Sequence, residues 1–175
     1  MDFQTIATSA LAATIAAVAL NQAVDWQRRG SRARAQLRGI LLELAHAQHC
    51  IERFEGKSAS PGYVTPVYRI ATQFLGSSIE GLAAAGALKQ AEAEQLHRFY
   101  IESDETNKAL DAIAVFSISQ PHTAEQIEAL REFLGAASFT QLAEERFSRL
   151  REDLPAARAA AEAALDRIAW FEPQN

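Results

Sequence analysis

Apolar residues along this chain recur three and four positions apart, and no stretch alternates them with polar, β-branched positions. That spacing predicts helices and no sheet, an all-α fold. Leu37, Ile40, Leu44, Ala47, Ile51 and Phe54 form one stripe of a helix over 27–55. GKSASPG (56–62) reads as a loop. A second helix is expected from Thr65 and Pro66, an N-cap followed by a proline at the first helical position. Ser77 and Glu80 have capping-box spacing, and Gly86 suits a helix C-terminus. A long helix follows from Lys89 to Ile118, with Leu96, Phe99, Tyr100, Leu110 and Ala114 on its apolar stripe. SQPH (119–122) interrupts it, and TAEQ (123–126) opens the last segment as a capping box. There Ala143, Phe147, Leu150, Leu154, Ala157, Ala161, Ala164 and Ile168 keep the 4-3 alternation of a close-packed seam. Pro155 is expected to kink that segment or to begin a new helix.

The opening segment departs from this amphipathic pattern. Phe3 to Val24 carries no formal charge, and as a helix it would span about 33 Å. Phe3, Ile6, Leu11, Ile15, Val18 and Leu20 favour insertion into lipid by roughly 2–3.5 kcal/mol together. Thr5, Thr8, Ser9, Thr14 and Asn21 oppose it, so a lone helix is close to neutral. Asp2 precedes the run and Arg28, Arg29, Arg32, Arg34 and Arg38 follow it. This is the reverse of a secretory signal, and the positive-inside rule keeps the C-terminal side in the cytoplasm. The expectation is an anchor over 1–26 and a cytoplasmic helical bundle over 27–175. Trp26 suits the lipid–water boundary, and the arginines suit anionic headgroups, at about 1 kcal/mol each. Ala10, Thr14, Ala17 and Asn21 share a narrow face that lets copies of the helix approach closely, so a homo-oligomer in the bilayer is expected. The competing reading is an Ala-rich helix buried inside a soluble structural bundle.

Charge narrows the partners. The chain is 49% hydrophobic with net charge −5. From residue 39 onward it has 12 basic and 20 acidic side chains, a net −8. An acidic body makes nucleic acid an unlikely partner class. Cys50 is the only cysteine, which excludes an internal disulfide.

Two Glu-x-x-His pairs, Glu43 with His46 and Glu94 with His97, have the spacing that carboxylate-bridged metal bundles use. Helical projection turns His46, His49 and Glu94 away from the apolar stripes and leaves Glu43 on a flank. They are therefore expected as surface residues, a membrane-tethered metal enzyme being the alternative. Ser103 and Asn107 fall on the apolar stripe of their helix, so a buried Asn107 needs partners, with Tyr100 a candidate. Tyr100 and Asn107 are the candidate binding residues, either as a small polar pocket or as groups that fix packing register. No arginine precedes a histidine at the spacing of helical ribonucleases, and His49 cannot activate its neighbour Cys50 because adjacent helical residues face different ways. No phosphate loop or nucleophile elbow is present, so no cofactor is expected.

The N-terminal run with its arginines, LLELAHAQHCIERF (41–54) and LHRFYIESDETNKALDAI (96–113) together resemble a diffuse group of small bacterial single-span membrane proteins with a cytoplasmic helical domain. Ala47 stands where that group's first motif would have Asn. The architecture is also similar to that of membrane accessory proteins of RNA-targeting CRISPR systems. The resemblance implies the topology of a single-pass inner-membrane protein; the small-residue face, the arginines and the acidic body lead to the expectation that it self-associates and binds a cytoplasmic partner, as a defence effector would. The resemblance implies no enzymatic activity.

Overall fold

A computed structural model describes residues 3–58, 69–118, 123–134 and 139–169; side chains are described within 16–54, 69–111, 123–126, 128, 129, 132 and 141–168. Among these residues all regular structure is helical: α1 (Phe3–Ser58), α2 (Gln73–Ala84), α3 (Gln90–Ile118), α4 (Ala124–Leu134) and α5 (Phe139–Ala169). The all-α expectation holds.

Four helices close a ring in which α1 packs on α2, α2 on α3, α3 on α5 and α5 on α1. Neighbours run antiparallel. Phe54 stacks on Phe147, ring centroids 4.3 Å apart, and Arg158 Nη1 donates to Gln48 Oε1, which fixes α1 against α5. Arg167 meets Glu92 while Arg146 meets Glu102 and Glu105, which fixes α3 against α5. Among the described residues α4 stands outside this ring of helix contacts.

The predicted stripes form the core. Leu37, Ile40, Leu44, Ala47 and Ile51 of α1 are buried against Leu96 and Phe99 of α3 and Phe147, Leu150, Ala157, Ala161 and Ala164 of α5, within one cluster. Alanines at the α5 positions let the helix axes approach closely. The α2–α3 turn is as expected at Gly86, which has φ +71. Ala87 N donates to Leu82 O and Gly86 N to Ala83 O, the paired bonds of a Schellman motif, which a left-handed residue at this position permits. At the start of α4, Gln126 N donates to Thr123 Oγ1 and Thr123 N donates to Gln126 Oε1, so that capping box forms.

Several expectations are corrected, and others rest partly or wholly on residues outside the description. The helices predicted over 3–24 and 27–55 are one uninterrupted helix that passes through Gly30 and Ser31. Among the described residues, no helix is long and apolar enough to cross a membrane; the side chains of residues 3–15, over half of the predicted span, lie outside the description. Thr65 and Pro66 also lie outside the described residues, and the observed α2 starts at Gln73. Ser77 is inside α2, where its Oγ donates back to Gln73 O at 2.6 Å instead of capping a terminus. Pro155 sits within α5 without ending it; it is exposed, so the ring faces away from the core.

Candidate functional site

Two features stand out, a buried polar junction at the start of α2 and the exposed N-terminal part of α1. The junction begins with Glu43, which α1 holds on the flank of its apolar stripe and which is buried. Its Oε1 accepts from Phe74 N at 2.8 Å and its Oε2 from Leu75 N at 2.9 Å. These are two of the N–H groups that a helix start leaves without internal partners. Thr72, in the N-cap position, makes no side-chain cap bond, so a carboxylate from another helix does that work. Its charge also suits the positive end of the α2 dipole.

Asn107 completes the junction from α3. Its Oδ1 accepts from Ile70 N and its Nδ2 donates to Ile70 O, both at 2.9 Å. The side chain thus clamps the peptide groups of the segment entering α2. Asn107 is buried as the stripe predicted, but its partner is the Ile70 backbone and not Tyr100. The Tyr100 ring instead lies over Gly76, where an added Cβ would meet ring carbon Cε2 at 2.9 Å. Gly39 plays the same part for Phe74, whose ring carbons would lie 2.6 Å from a Cβ. Both glycines are needed for close approach of neighbouring elements. Thr106 satisfies its hydroxyl on Glu102 O at 2.7 Å, whereas the buried Ser103 Oγ has no hydrogen-bond partner among the described residues. Glu102 Oε2 is buried too, with Arg146 at 3.8 Å, an ion-pair separation beyond hydrogen-bond length.

The metal-type residues do not converge. Glu43 is committed to α2 and buried, a correction to its expected surface position. His46 and His97 are exposed, His97 lying 6.1 Å from Tyr100 between ring centroids. Glu94 is exposed and accepts from Gln90 Nε2. Among the described residues no three His, Cys, Asp or Glu side chains gather as a metal would require. His46, one turn before Cys50, approaches its sulfur at 3.8 Å. Burial pushes the Cys50 thiol up, with Arg53 offsetting part of the shift, so it is held away from the reactive thiolate form.

At the end of the bundle where α2 turns into α3, Arg167 forms a bidentate pair with Glu92, at 2.6 and 2.5 Å, and also donates to Ala87 O. Glu92 in turn accepts from Lys89 N at 2.8 Å, capping α3. The Arg167 hydrogen bond holds the Glu92 carboxyl below its ordinary range against the opposing effect of burial.

The second feature begins where the core stops. Ala33 is the last buried residue of α1 toward its N-terminus, and every residue from Ala16 to Arg29 is exposed. The reason lies in the antiparallel pairing: with Gln48 beside Arg158 and Phe54 beside Phe147, the end of α5 at Ala169 comes level with Leu37 and Ala33. Above that level α1 continues as an arm whose residues from Ala16 to Arg29 are exposed. The arm presents Val18 at 51% and Leu20 at 66% exposure, with Val24 and Trp26 also exposed. Ala17 and Asn21 are exposed; the side chains of Ala10 and Thr14 lie outside the described residues. Arg28, Arg29, Arg32 and Arg38 are exposed at the base of the arm. Among the described residues no carboxylate pairs with any of these four. Arg34 reaches back to Gly30 O at 3.4 Å.

Sequence patterning found the arm and its arginines. It missed the Glu43 cap and the Arg167–Glu92 pair, for which the available signals were a carboxylate beside an apolar stripe and the Lys89-x-x-Glu92 spacing. No family model, curated protein or solved structure matches this chain.

Proposed function

We propose that this protein is a membrane-tethered helical bundle whose N-terminal arm enters the bilayer and whose bundle works on the cytoplasmic side by assembly, not by catalysis. The observation that carries this reading is the arm itself: an uncharged run ending in exposed Val18, Leu20 and Val24, followed after Asp25 by Arg28, Arg29, Arg32 and Arg38, which pair with no carboxylate among the described residues. A solitary Ala-rich helix gains little stability in water, because tertiary packing supplies most helix stability. Lipid would cover the apolar side chains, and a helix bonds its backbone groups internally as the bilayer requires. The arginines then meet anionic headgroups, and Trp26 meets the boundary. The first half of the run, residues 3–15, enters this argument through its sequence alone. Because insertion of one such helix is nearly neutral, association of arms along Ala10, Thr14, Ala17 and Asn21 is the source of further stabilisation. The localisation that follows is a bacterial inner membrane, crossed once, with the bundle in the cytoplasm and available to a protein partner.

Flotation of the full chain with vesicles of phosphatidylcholine and phosphatidylglycerol tests the reading. The chain should rise with the lipid, and a Val18→Glu, Leu20→Glu variant should not. Equal behaviour of the two proteins, or a native chain left at the bottom of the gradient, would refute it.

A further inference from the structure

The two ends of the bundle differ in charge. At the arm end lie Arg28, Arg29, Arg32 and Arg38, with Lys89 beside the α2–α3 turn, all exposed. Of the carboxylates there, Asp25 is exposed one turn above Arg28 and Arg29, Glu92 is held by Arg167, Glu80 lies one helical turn back from the turn, and Asp166 is exposed on α5. The opposite end and the far halves of α3 and α5 carry Glu102, Asp104, Glu105, Asp111, Glu144 and Glu145, and α4 adds Glu125, Glu128 and Glu132. Arg146, Lys108 and Arg69, which pairs with Asp111, together with the exposed Arg149 and Arg151, offset only part of this. The tip of the α2–α3 turn, Ala84, Ala85 and Gly86, is exposed and uncharged.

We propose that the bundle stands upright on an anionic membrane, on the end from which the arm leaves, with the α2–α3 turn facing the lipid headgroups. The inference rests on the membrane reading of the arm. Arg167 ties Ala87 to the end of α5, and the α1–α5 pairing puts Arg167 level with Arg34 to Gly39 of α1. The turn therefore lies about 12–20 Å below Trp26 along α1. A headgroup layer covers about 5–8 Å of that distance, and the ~20° tilt usual for bilayer helices brings a neighbouring helix about 3 Å nearer, which leaves the turn within roughly 12 Å of the headgroups. Electrostatics selects the posture. An anionic surface attracts the basic end and repels the acidic far end, within a screening length of about 8–10 Å. A bundle lying on its side would bring the acidic surface of α3 and α4 toward the same lipids.

Depth measurements on the full chain in vesicles of phosphatidylcholine and phosphatidylglycerol test this. Single labelling sites A85C, L42C and E125C carry a fluorophore, Cys50 being buried and slow to label, and a spin-labelled lipid headgroup quenches them. Trp26 in a W170F background reports arm insertion separately. The expected order is strong quenching at Ala85, several-fold weaker quenching at Leu42, and none at Glu125. Quenched Trp26 with Ala85 no more quenched than Leu42 or Glu125 would overturn the upright posture alone. Unquenched Trp26 would overturn the membrane reading and the posture with it.

Discussion

Replacing Glu43 by Ala should destabilise the bundle by about 2–4 kcal/mol, far more than a lone exposed carboxylate would. The substitution removes the acceptors for Phe74 N and Leu75 N. A buried donor left without a partner costs about 1–3 kcal/mol. Leu75 is fully buried, so its N–H cannot turn to water, whereas Phe74 is 43% exposed and its N–H recovers part of the loss. Thr72 offers no substitute cap. For a chain of this size each kcal/mol moves the midpoint by about 2–4 °C, so the expected drop is roughly 4–16 °C. Glu43→Gln keeps one acceptor oxygen but turns an amide donor toward the second N–H, and should cost about half as much. Urea and thermal unfolding followed by far-ultraviolet circular dichroism in mild detergent measures both, with Glu94→Ala as a control expected within about 0.5 kcal/mol. A Glu43→Ala variant as stable as that control would refute the capping argument. So would a Gln variant as damaged as the Ala variant.

Other outcomes follow from the same geometry. Asn107→Leu should cost about 2–4 kcal/mol because Ile70 loses partners for both its N–H and its carbonyl; amide hydrogen exchange should show that loss first at Ile70, and unchanged exchange there would count against the clamp. Glu92 has a folded-state pKa below its unfolded one, so its contribution is complete above the ordinary value of about 4.3 and is lost as pH falls through the folded value. Arg167→Gln should therefore flatten the acid limb of a stability–pH profile, and a limb identical to the native one would contradict the pairing. Cys50 should react with a disulfide reagent only as the bundle unfolds, in step with the dichroism; reaction at the rate of a free thiol in the folded protein would contradict its burial.

Much of this fold is legible in the sequence because its core is built from spacing. The stripes through Leu44, Phe99 and Leu150 are read directly from a 3.6-residue period, and Gly86 and the Thr123–Gln126 box mark helix ends by local chemistry that needs no tertiary knowledge. What escaped is long-range. Glu43 caps a helix 31 residues away and Asn107 clamps a peptide 37 residues away, and no local pattern announces such partners. Ser77 misled because capping-box spacing also occurs inside a helix, where the hydroxyl bonds one turn back. No new helix begins at Pro155, because a helix held by an alanine seam on its other face tolerates the loss of one exposed backbone bond. The division between the run over 3–24 and the helix over 27–55 also misled: α1 stays helical through it although its packing partners end nearby.

The central claim is that residues 3–24 are surrounded by lipid, and alkaline carbonate extraction of membranes from cells expressing the full chain tests it most directly. The protein should remain in the pellet after extraction and leave it only with detergent, while the Val18→Glu, Leu20→Glu variant moves to the supernatant. Native protein released by carbonate alone would contradict the claim and favour an arm that packs against protein in water.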